Sequence, residues 1–238
     1  MIFRIYLKKL WHRAARENNL NLAKLLERNP QARVLDLGCD DGELVKERIE
    51  EYVGSGEIWG VDIDQRVLVQ AKKRGIKTFC LDLNSQKLPF KDNFFDVVEA
   101  NQIIEHLWNT DTFTEEIYRV LKPGGYLVIA TENLSSWHNL FSLFLGFQAP
   151  SQDVSSKFRV GNPFSLCQGR PRVWTAHQRV FTIKGLKIML ETYGSKVEKI
   201  LTSGYYPFPG LLAKILTRLD PIHAAFICLK ARKPLKNP

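Results

Sequence analysis

Cysteine is scarce in this chain, with four in 238 residues. Cys39, Cys80, Cys167 and Cys228 stand far apart and form no C-x-x-C pair. That leaves a disulfide scaffold or a cysteine-built metal site without support, and a reducing, cytoplasmic setting is expected. No stretch approaches 18 uncharged apolar residues, which excludes a membrane-spanning helix. The start, MIFRIYLKKLWHRAAR, is broken by basic residues too often for a signal peptide. Internal repeats and low-complexity segments are lacking too. Neither G-x-G-x-x-G nor a Walker lysine loop occurs, so the usual cradles for a phosphate-bearing cofactor are missing.

The hydrophobic fraction of 45% is ordinary and supports one substantial core. Net charge is +9, but its distribution is uneven. Residues 1–16 carry five Lys/Arg and no acid; residues 17–133 carry 14 basic and 21 acidic side chains. Residues 134–187 carry seven basic residues against Asp153 alone. An acidic half is thus joined to basic attachments.

Between residues 33 and 131, short apolar runs alternate with amphipathic segments. Arg33–Leu37, EIWGVDID, KTFCLDL, FFDVVEAN and YLVIAT read as strands. Helical stripes lie between them: Leu44, Val45, Ile49, Tyr52 and Val53; Val67, Leu68 and Ala71; and Phe113, Ile117, Val120 and Leu121. The alternation predicts an α/β fold: an open, seven-stranded, mostly parallel sheet with helices on both faces. The divisions expected are a basic amphipathic N-terminal helix (1–29), a cofactor-binding half (30–133), an aromatic lid (134–181) and a C-terminal half of the sheet (182–238). SKVEKILTSG and AAFICLKARK supply the last two strands, flanking an inserted helix rich in leucine.

In such folds the ligand lies outside the carboxyl ends of the strands, near the first one. VLDLGCDDG, residues 34–42, forms the turn there, and Asp36, Asp40 and Asp41 crowd it. Three acids repel a pyrophosphate and suit a cationic, phosphate-free cofactor. VLDLGCDDG, WGVDID, CLDLNSQKLPFKDNFFDVVEANQIIEHL and EEIYRVLKPGGYLVIATEN, in that order, resemble the motifs of the class I, Rossmann-like SAM-dependent methyltransferases. The resemblance covers roughly residues 30–133. It implies S-adenosyl-L-methionine as cofactor and an antiparallel last strand.

Carried onto this sequence, the resemblance places Asp36 near the methionine ammonium, with Gly38 and Cys39 where the backbone approaches the cofactor. Asp62 would take both ribose hydroxyls, and Ile63 would pack on the adenine. Asp82 would accept from the adenine amino group with Leu83 beside it, and Asn101 and Gln102 would lie near the methionine. Asp40 departs from the pattern, because the family commonly has glycine there. A positive φ at that position would carry a cost, though aspartate tolerates it better than most residues.

Past the fourth strand, His106 is a candidate general base. Glu105 beside it suggests a metal only if a third ligand completes the set, and none is evident in the sequence, so no metal is expected. His138, His177 and Tyr205 lie in segments expected to roof the site, and packing roles are expected for them. The stripe of Leu134, Trp137, Leu140, Phe141, Phe144 and Leu145 reads as core. Two basic amphipathic stripes are expected to pack on the domain: Phe3, Leu7, Leu10, Trp11 and Ala14, then Leu211, Leu212, Ile215, Leu216 and Leu219. Peripheral contact with an anionic membrane is the alternative.

The function implied is methyl transfer to a small-molecule or lipid-like acceptor, anionic acceptors included. Two alternatives stay open. An RNA methyltransferase would use the basic segments on phosphates, but no RNA-binding module or N-P-P-Y tetrad is present, so nucleic acid is the less favoured partner. A non-catalytic scaffold would follow if Asp40 disables the turn.

Overall fold

A computed structural model describes residues 2–163, 165, 168, 169, 171 and 176–235, with side chains from residue 5 onward. Phe164, Cys167, Trp174 and the side chain of Phe3 therefore lie outside the described residues. The chain opens with α1 (Ile2–Ala23). Then come β1 (Val34–Leu37), α2 (Glu43–Arg48) with a π-helical turn over Ile49–Val53, β2 (Ile58–Asp62), α3 (Gln65–Lys73) and β3 (Lys77–Cys80). β4 (Phe95–Asn101), α4 (Thr110–Val120), β5 (Leu121–Glu132) and α5 (Trp137–Phe144) follow. The chain closes with α6 (Ile183–Thr192), β6 (Lys196–Ser203), α7 (Gly210–Leu219) and β7 (Phe226–Arg232).

The seven strands form one sheet in the order β3-β2-β1-β4-β5-β7-β6. β7 runs antiparallel to both of its neighbours, and the pairs on the β3 side are parallel. The expected α/β fold is therefore present. Strand alternation sends side chains to two cores. Leu35, Leu37, Val98 and Leu127 meet Phe113, Ile117, Leu186 and Leu190 on the α4/α6 face. Val34, Val97 and Val128 meet Leu22, Leu25, Val45, Ile49 and Ala71 on the α1–α3 face. β1 and β4 sit in the middle of the sheet, so their carboxyl ends open where the strand order reverses.

Local signals account for several helix starts. Asp64 caps α3 by accepting from the Arg66 amide, and Asn109 caps α4 by accepting from the Thr112 amide. Four helical stripes differ from expectation. In α2, Val45, Ile49 and Val53 are buried, whereas Leu44 is exposed and Arg48 takes an inward position to reach Glu99. In α5 the expected core stripe faces outward: Phe141 and Phe144 are exposed, while Asn139 and Ser142 are buried. Polar partners explain the inversion. Asn139 Nδ2 donates to Asn133 O at 2.9 Å, and its Oδ1 accepts from the Ser151 amide at 3.1 Å. In α7 only Ala213 is buried, so Leu211, Leu212, Ile215 and Leu219 do not pack on the domain as expected. α1 divides: Leu10 and Ala14 are buried, Trp11 is exposed. No helix among the described residues is long and apolar enough to cross a membrane.

Candidate cofactor and acceptor site

The turn after β1 is built against β2. The amides of Gly38 and Cys39 both donate to Val61 O, at 2.8 and 3.0 Å. Gly38 has φ 77°, and a Cβ there would stand 3.0 Å from Ile103. Cys39 points inward, because a Cβ on Gly60 would come within 2.6 Å of its sulfur. Its side chain therefore packs the turn onto β2, and its amide anchors the backbone. Asp40 does adopt the left-handed region, at φ 49°. Its amide donates to Asp62 Oδ2 at 3.0 Å, while Asp62 Oδ1 accepts from the Asp64 amide at 3.0 Å. One carboxylate thus pins the glycine turn to the end of β2. Each of its oxygens keeps a further lone pair for a ligand.

The electrostatics of this turn are those of crowded acids. Burial, reinforced by the nearby Glu99 and Asp62 carboxylates, pushes Asp36 well above the usual carboxylate range, with Arg48 opposing. Burial also raises Asp40, with Asp41 and Asp62 adding to the shift. The cations nearby are already engaged. Arg48 Nε donates to Glu99 Oε2 at 3.0 Å, and Arg74 bridges Asp41 at 3.0 Å and Glu43 at 3.4 Å. A positively charged ligand would favour the ionised acids here, and a phosphate would be repelled.

Along the edge towards β3, Ile63 is 64% exposed, a bare apolar platform beside Asp62. The Asp82 carboxylate accepts from the Asn84 amide and from Ser85 Oγ, both at 2.9 Å. The Asn84 amide bond leads in holding its pKa below the usual range. Leu83 is buried beside it. At the end of β4, Asn101 accepts from Asn18 Nδ2 at 3.3 Å and donates to Asn19 Oδ1 at 3.2 Å, which lays α1 over the strand end. Asp36, Gly38, Asp62, Ile63 and Asn101 thus come together at the ends of β1, β2 and β4, with Asp82 and Leu83 one strand further out.

Beyond β4 the structure assembles a second polar group. Glu105, His106 and His177 bring ligating atoms within 4.8 Å of one another. His177 is thus the third member that the sequence did not reveal, and the expectation that nothing completes the Glu105–His106 pair is corrected. The two imidazole centroids are 4.8 Å apart. His106 Nδ1 lies 3.3 Å from Ala176 O and His177 Nδ1 2.8 Å from Ser151 O. Glu132, at the end of β5, is 3.7 Å from His177 Nδ1. Glu105 is fully buried and accepts from Thr131 Oγ1 at 2.9 Å; burial raises its pKa to about 7. His138 is half-buried, and desolvation lowers its pKa to about 4 and keeps it neutral. Its ring meets that of Tyr206 at 5.1 Å. The Tyr206 hydroxyl is buried with no hydrogen-bond partner among the described residues. Tyr205, the roof candidate from the sequence, instead donates to Asp220 at 2.6 Å. No short-range signal separates these adjacent tyrosines; the chain's path into α7 decides between them.

A surface cleft lined by Asp92, Tyr118, Arg119 and Lys233 opens at the amino ends of β4 and β5, far along the strands from the glycine turn. Residues 35–129 match a family model described as a methyltransferase domain. This part of the chain is similar to a methyltransferase domain.

The ubiquinone/menaquinone biosynthesis C-methyltransferase UbiE of Burkholderia mallei is 34% identical over 104 residues, 42% of this chain and 43% of that protein. The chain therefore matches less than half the length of the curated relatives it resembles. Among solved structures, an S-adenosylmethionine-dependent methyltransferase from Mesorhizobium loti is 19% identical. It has a TM-score of 0.60, covering 89% of this chain and 95% of that one. The cyclase SpnF is 21% identical with a TM-score of 0.60, covering 95% of this chain and 84% of that one. These likenesses are of fold.

The cofactor implied by such a domain is S-adenosyl-L-methionine, and the residues present fit it. Acids raised by burial and mutual repulsion, with their cations engaged elsewhere, match a ligand carrying sulfonium and ammonium charge. The bare face of Ile63 matches an adenine, and Asp62 retains lone pairs for a diol.

Proposed function

We propose that this protein transfers a methyl group from S-adenosyl-L-methionine to a small-molecule or lipid-like acceptor. The observation that carries this reading is Asp62. It ties the glycine turn to β2 through Asp40 and Asp64, and it keeps acceptor capacity facing outward beside an exposed apolar platform. Asp36 would meet the ammonium, Gly38 and Cys39 would supply close backbone, Asp62 the ribose contact, and Ile63, Asp82 and Leu83 the adenine contacts. Asn101 would act near the methionine end through its link to α1.

The bound cofactor supplies an activated methyl on sulfur. Transfer breaks that carbon–sulfur bond and forms a bond from carbon to the acceptor, whose proton must leave. Alignment supplies much of the acceleration for such a reaction, and a base matters when the acceptor is protonated. His106 is the candidate base, and His177 shares its position. Each Nδ1 faces a backbone carbonyl, which places basic character at Nε2. Glu132, 3.7 Å from His177 Nδ1, would stabilise the imidazolium that forms, and the Tyr206 hydroxyl could donate to a polar group on the acceptor. The name of the UbiE relative points to an acceptor with an ionisable head and an apolar body. The positive φ of Asp40 leaves its amide bonded to Asp62, so the departure from glycine preserves the turn and favours an enzyme over an inert scaffold.

Calorimetric titration with S-adenosylhomocysteine tests the cofactor reading. Incubation of lipid and metabolite extracts with methyl-labelled cofactor tests the transfer. Micromolar binding and a labelled product in an organic-soluble fraction are expected. Absence of binding by the natural chain would overturn the proposal.

A further inference from the structure

Two short helices present their apolar side chains to the outside, and they are neighbours. On α5 and its C-cap, Trp137, Phe141, Leu143, Phe144 and Leu145 are exposed, Phe144 to 86%. The face that α5 turns inward holds Asn139 and Ser142, and Ser142 Oγ donates to His138 O and accepts from Asn162 Nδ2. On α7, Leu211, Leu212, Ile215 and Leu219 are exposed, Leu219 to 77%. The helices are joined by Trp137, whose Nε1 donates to Asp220 Oδ2 at 2.8 Å and whose ring lies 4.5 Å from that of His223. α1 continues the surface. Tyr6 donates to Pro207 O at 3.1 Å, and a Cβ on Gly210 would come within 2.9 Å of Arg13 Nη1. Ile5 and Trp11 on this helix are exposed as well.

An apolar patch of this extent marks a docking surface, and its charge narrows the occupant. Lys8, Lys9, Arg13 and Arg16 of α1, with Lys214 and Arg218 of α7, are exposed on the same helices. The acids among them are engaged: Glu17 pairs with Arg13 at 3.5 Å, and Asp220 accepts from Tyr205, Trp137 and His223. A second copy of the chain would set basic face against basic face. A nucleic acid would use the cations but leave the leucines and phenylalanines in water. An anionic bilayer uses both, with apolar side chains entering the acyl boundary and Lys/Arg meeting headgroups.

We propose that the joined faces of α1, α5 and α7 dock on a membrane surface rich in anionic lipid. The purpose of this contact rests on the lipid-like acceptor proposed above. Beneath this surface His138 of α5 meets Tyr206, which precedes α7 and feels the carboxylate of Glu132 in the Glu132–His177–His106 group, so an acceptor held in the bilayer would enter from the docked side.

The test is flotation of the full chain with phosphatidylcholine vesicles, with and without phosphatidylglycerol, over a range of salt. Three proteins are compared: the natural chain, Phe141→Ser/Phe144→Ser and Lys214→Glu/Arg218→Glu. Homocysteine-cofactor binding by calorimetry on each preparation separates docking from the methyltransferase reading and reports folding. Expected are preference for phosphatidylglycerol vesicles, weakening with salt, and unchanged S-adenosylhomocysteine binding in both variants. Two charge reversals should weaken vesicle binding by roughly a thousandfold, since each charge near the surface is worth about fivefold. The serine pair should weaken it at least tenfold. Three results would overturn the proposal: no vesicle binding by a chain that binds S-adenosylhomocysteine; a dimer in light scattering that the serine pair dissolves, without vesicle binding; or salt-sensitive RNA binding with none to vesicles.

Discussion

Asp62→Ala is the most informative single change at the candidate site. The native carboxylate accepts from the Asp40 and Asp64 amides, each at 3.0 Å, and it is proposed to accept two hydroxyls of the ligand as well. A hydrogen bond to a charged group contributes about 1.5–3 kcal/mol. Losing two therefore weakens binding by roughly a hundredfold to ten-thousandfold, at about 1.4 kcal/mol per factor of ten. The structural cost should be smaller. Asp40 is exposed and Asp64 half-buried, so water can replace the lost partner of each amide, for about 1 kcal/mol in all. Calorimetry with S-adenosylhomocysteine measures the first quantity, and thermal denaturation without ligand measures the second. Asp40→Gly is the counter-variant: it keeps the amide on Asp62 and removes the left-handed cost, so affinity should change less than threefold by the same reasoning. An Asp62→Ala protein that melts normally and loses less than tenfold in affinity would refute the assignment of the ligand diol to Asp62.

Gly60→Ala should destabilise the chain by about 1–3 kcal/mol, because the new Cβ would stand 2.6 Å from Cys39 Sγ; Cys39→Ala in the same chain should restore most of that in a denaturant melt. Arg48→Met should lower stability by about 3–5 kcal/mol by leaving Glu99 and Asp36 buried without their cation, whereas Arg48→Met combined with Glu99→Met should cost much less. Glu105 carries a pH signature. Its folded pKa is about 7 against an ordinary 4.5, so the folded chain holds the extra proton, and stability falls as pH rises from about 4.5 through 7, by about 3 kcal/mol in total. Glu105→Gln should flatten the melting temperature across that window, and parallel pH profiles for the two proteins would contradict the assignment.

Much of the cofactor half was legible because its signals are local. The short apolar runs ending in Leu37, Asp62 and Asn101 gave strands whose carboxyl ends converge, and Asn109 announced the start of α4. The acids of VLDLGCDDG pointed to a cationic ligand before any geometry was known, and Asp40 took the positive φ that its place in the turn implied. What stayed hidden depends on long-range contact. His177 reaches His106 across 70 intervening residues that hold α4, β5 and α5, and Tyr206 rather than Tyr205 meets His138, whereas Tyr205 donates to Asp220. In α5, hydrophobic periodicity located the helix but assigned its orientation wrongly. Asn139 and Ser142 find buried partners in Asn133, Ser151 and Asn162, contacts that no stripe of apolar residues foretells.

The inversion of α5 and the strain in the acid-rich turn have a common physical sense. A chain selected for stability alone would bury Phe141 and Phe144 and would not hold Asp36 where burial raises its pKa. Under the proposals above, each of these features becomes favourable on binding: a cation for the carboxylate of the turn, an apolar and anionic surface for the helices. Binding to the folded chain alone stabilises it by mass action. Asp36→Asn separates the two requirements. It removes a carboxyl that burial and the neighbouring Glu99 and Asp62 oppose, so the ligand-free chain should melt higher, most clearly at alkaline pH where the native carboxyl is forced to ionise. It also removes the charge proposed to meet the ligand's ammonium, so S-adenosylhomocysteine should bind at least tenfold more weakly. A variant that gains stability and keeps full affinity would show that Asp36 serves the fold of the turn and not the ligand.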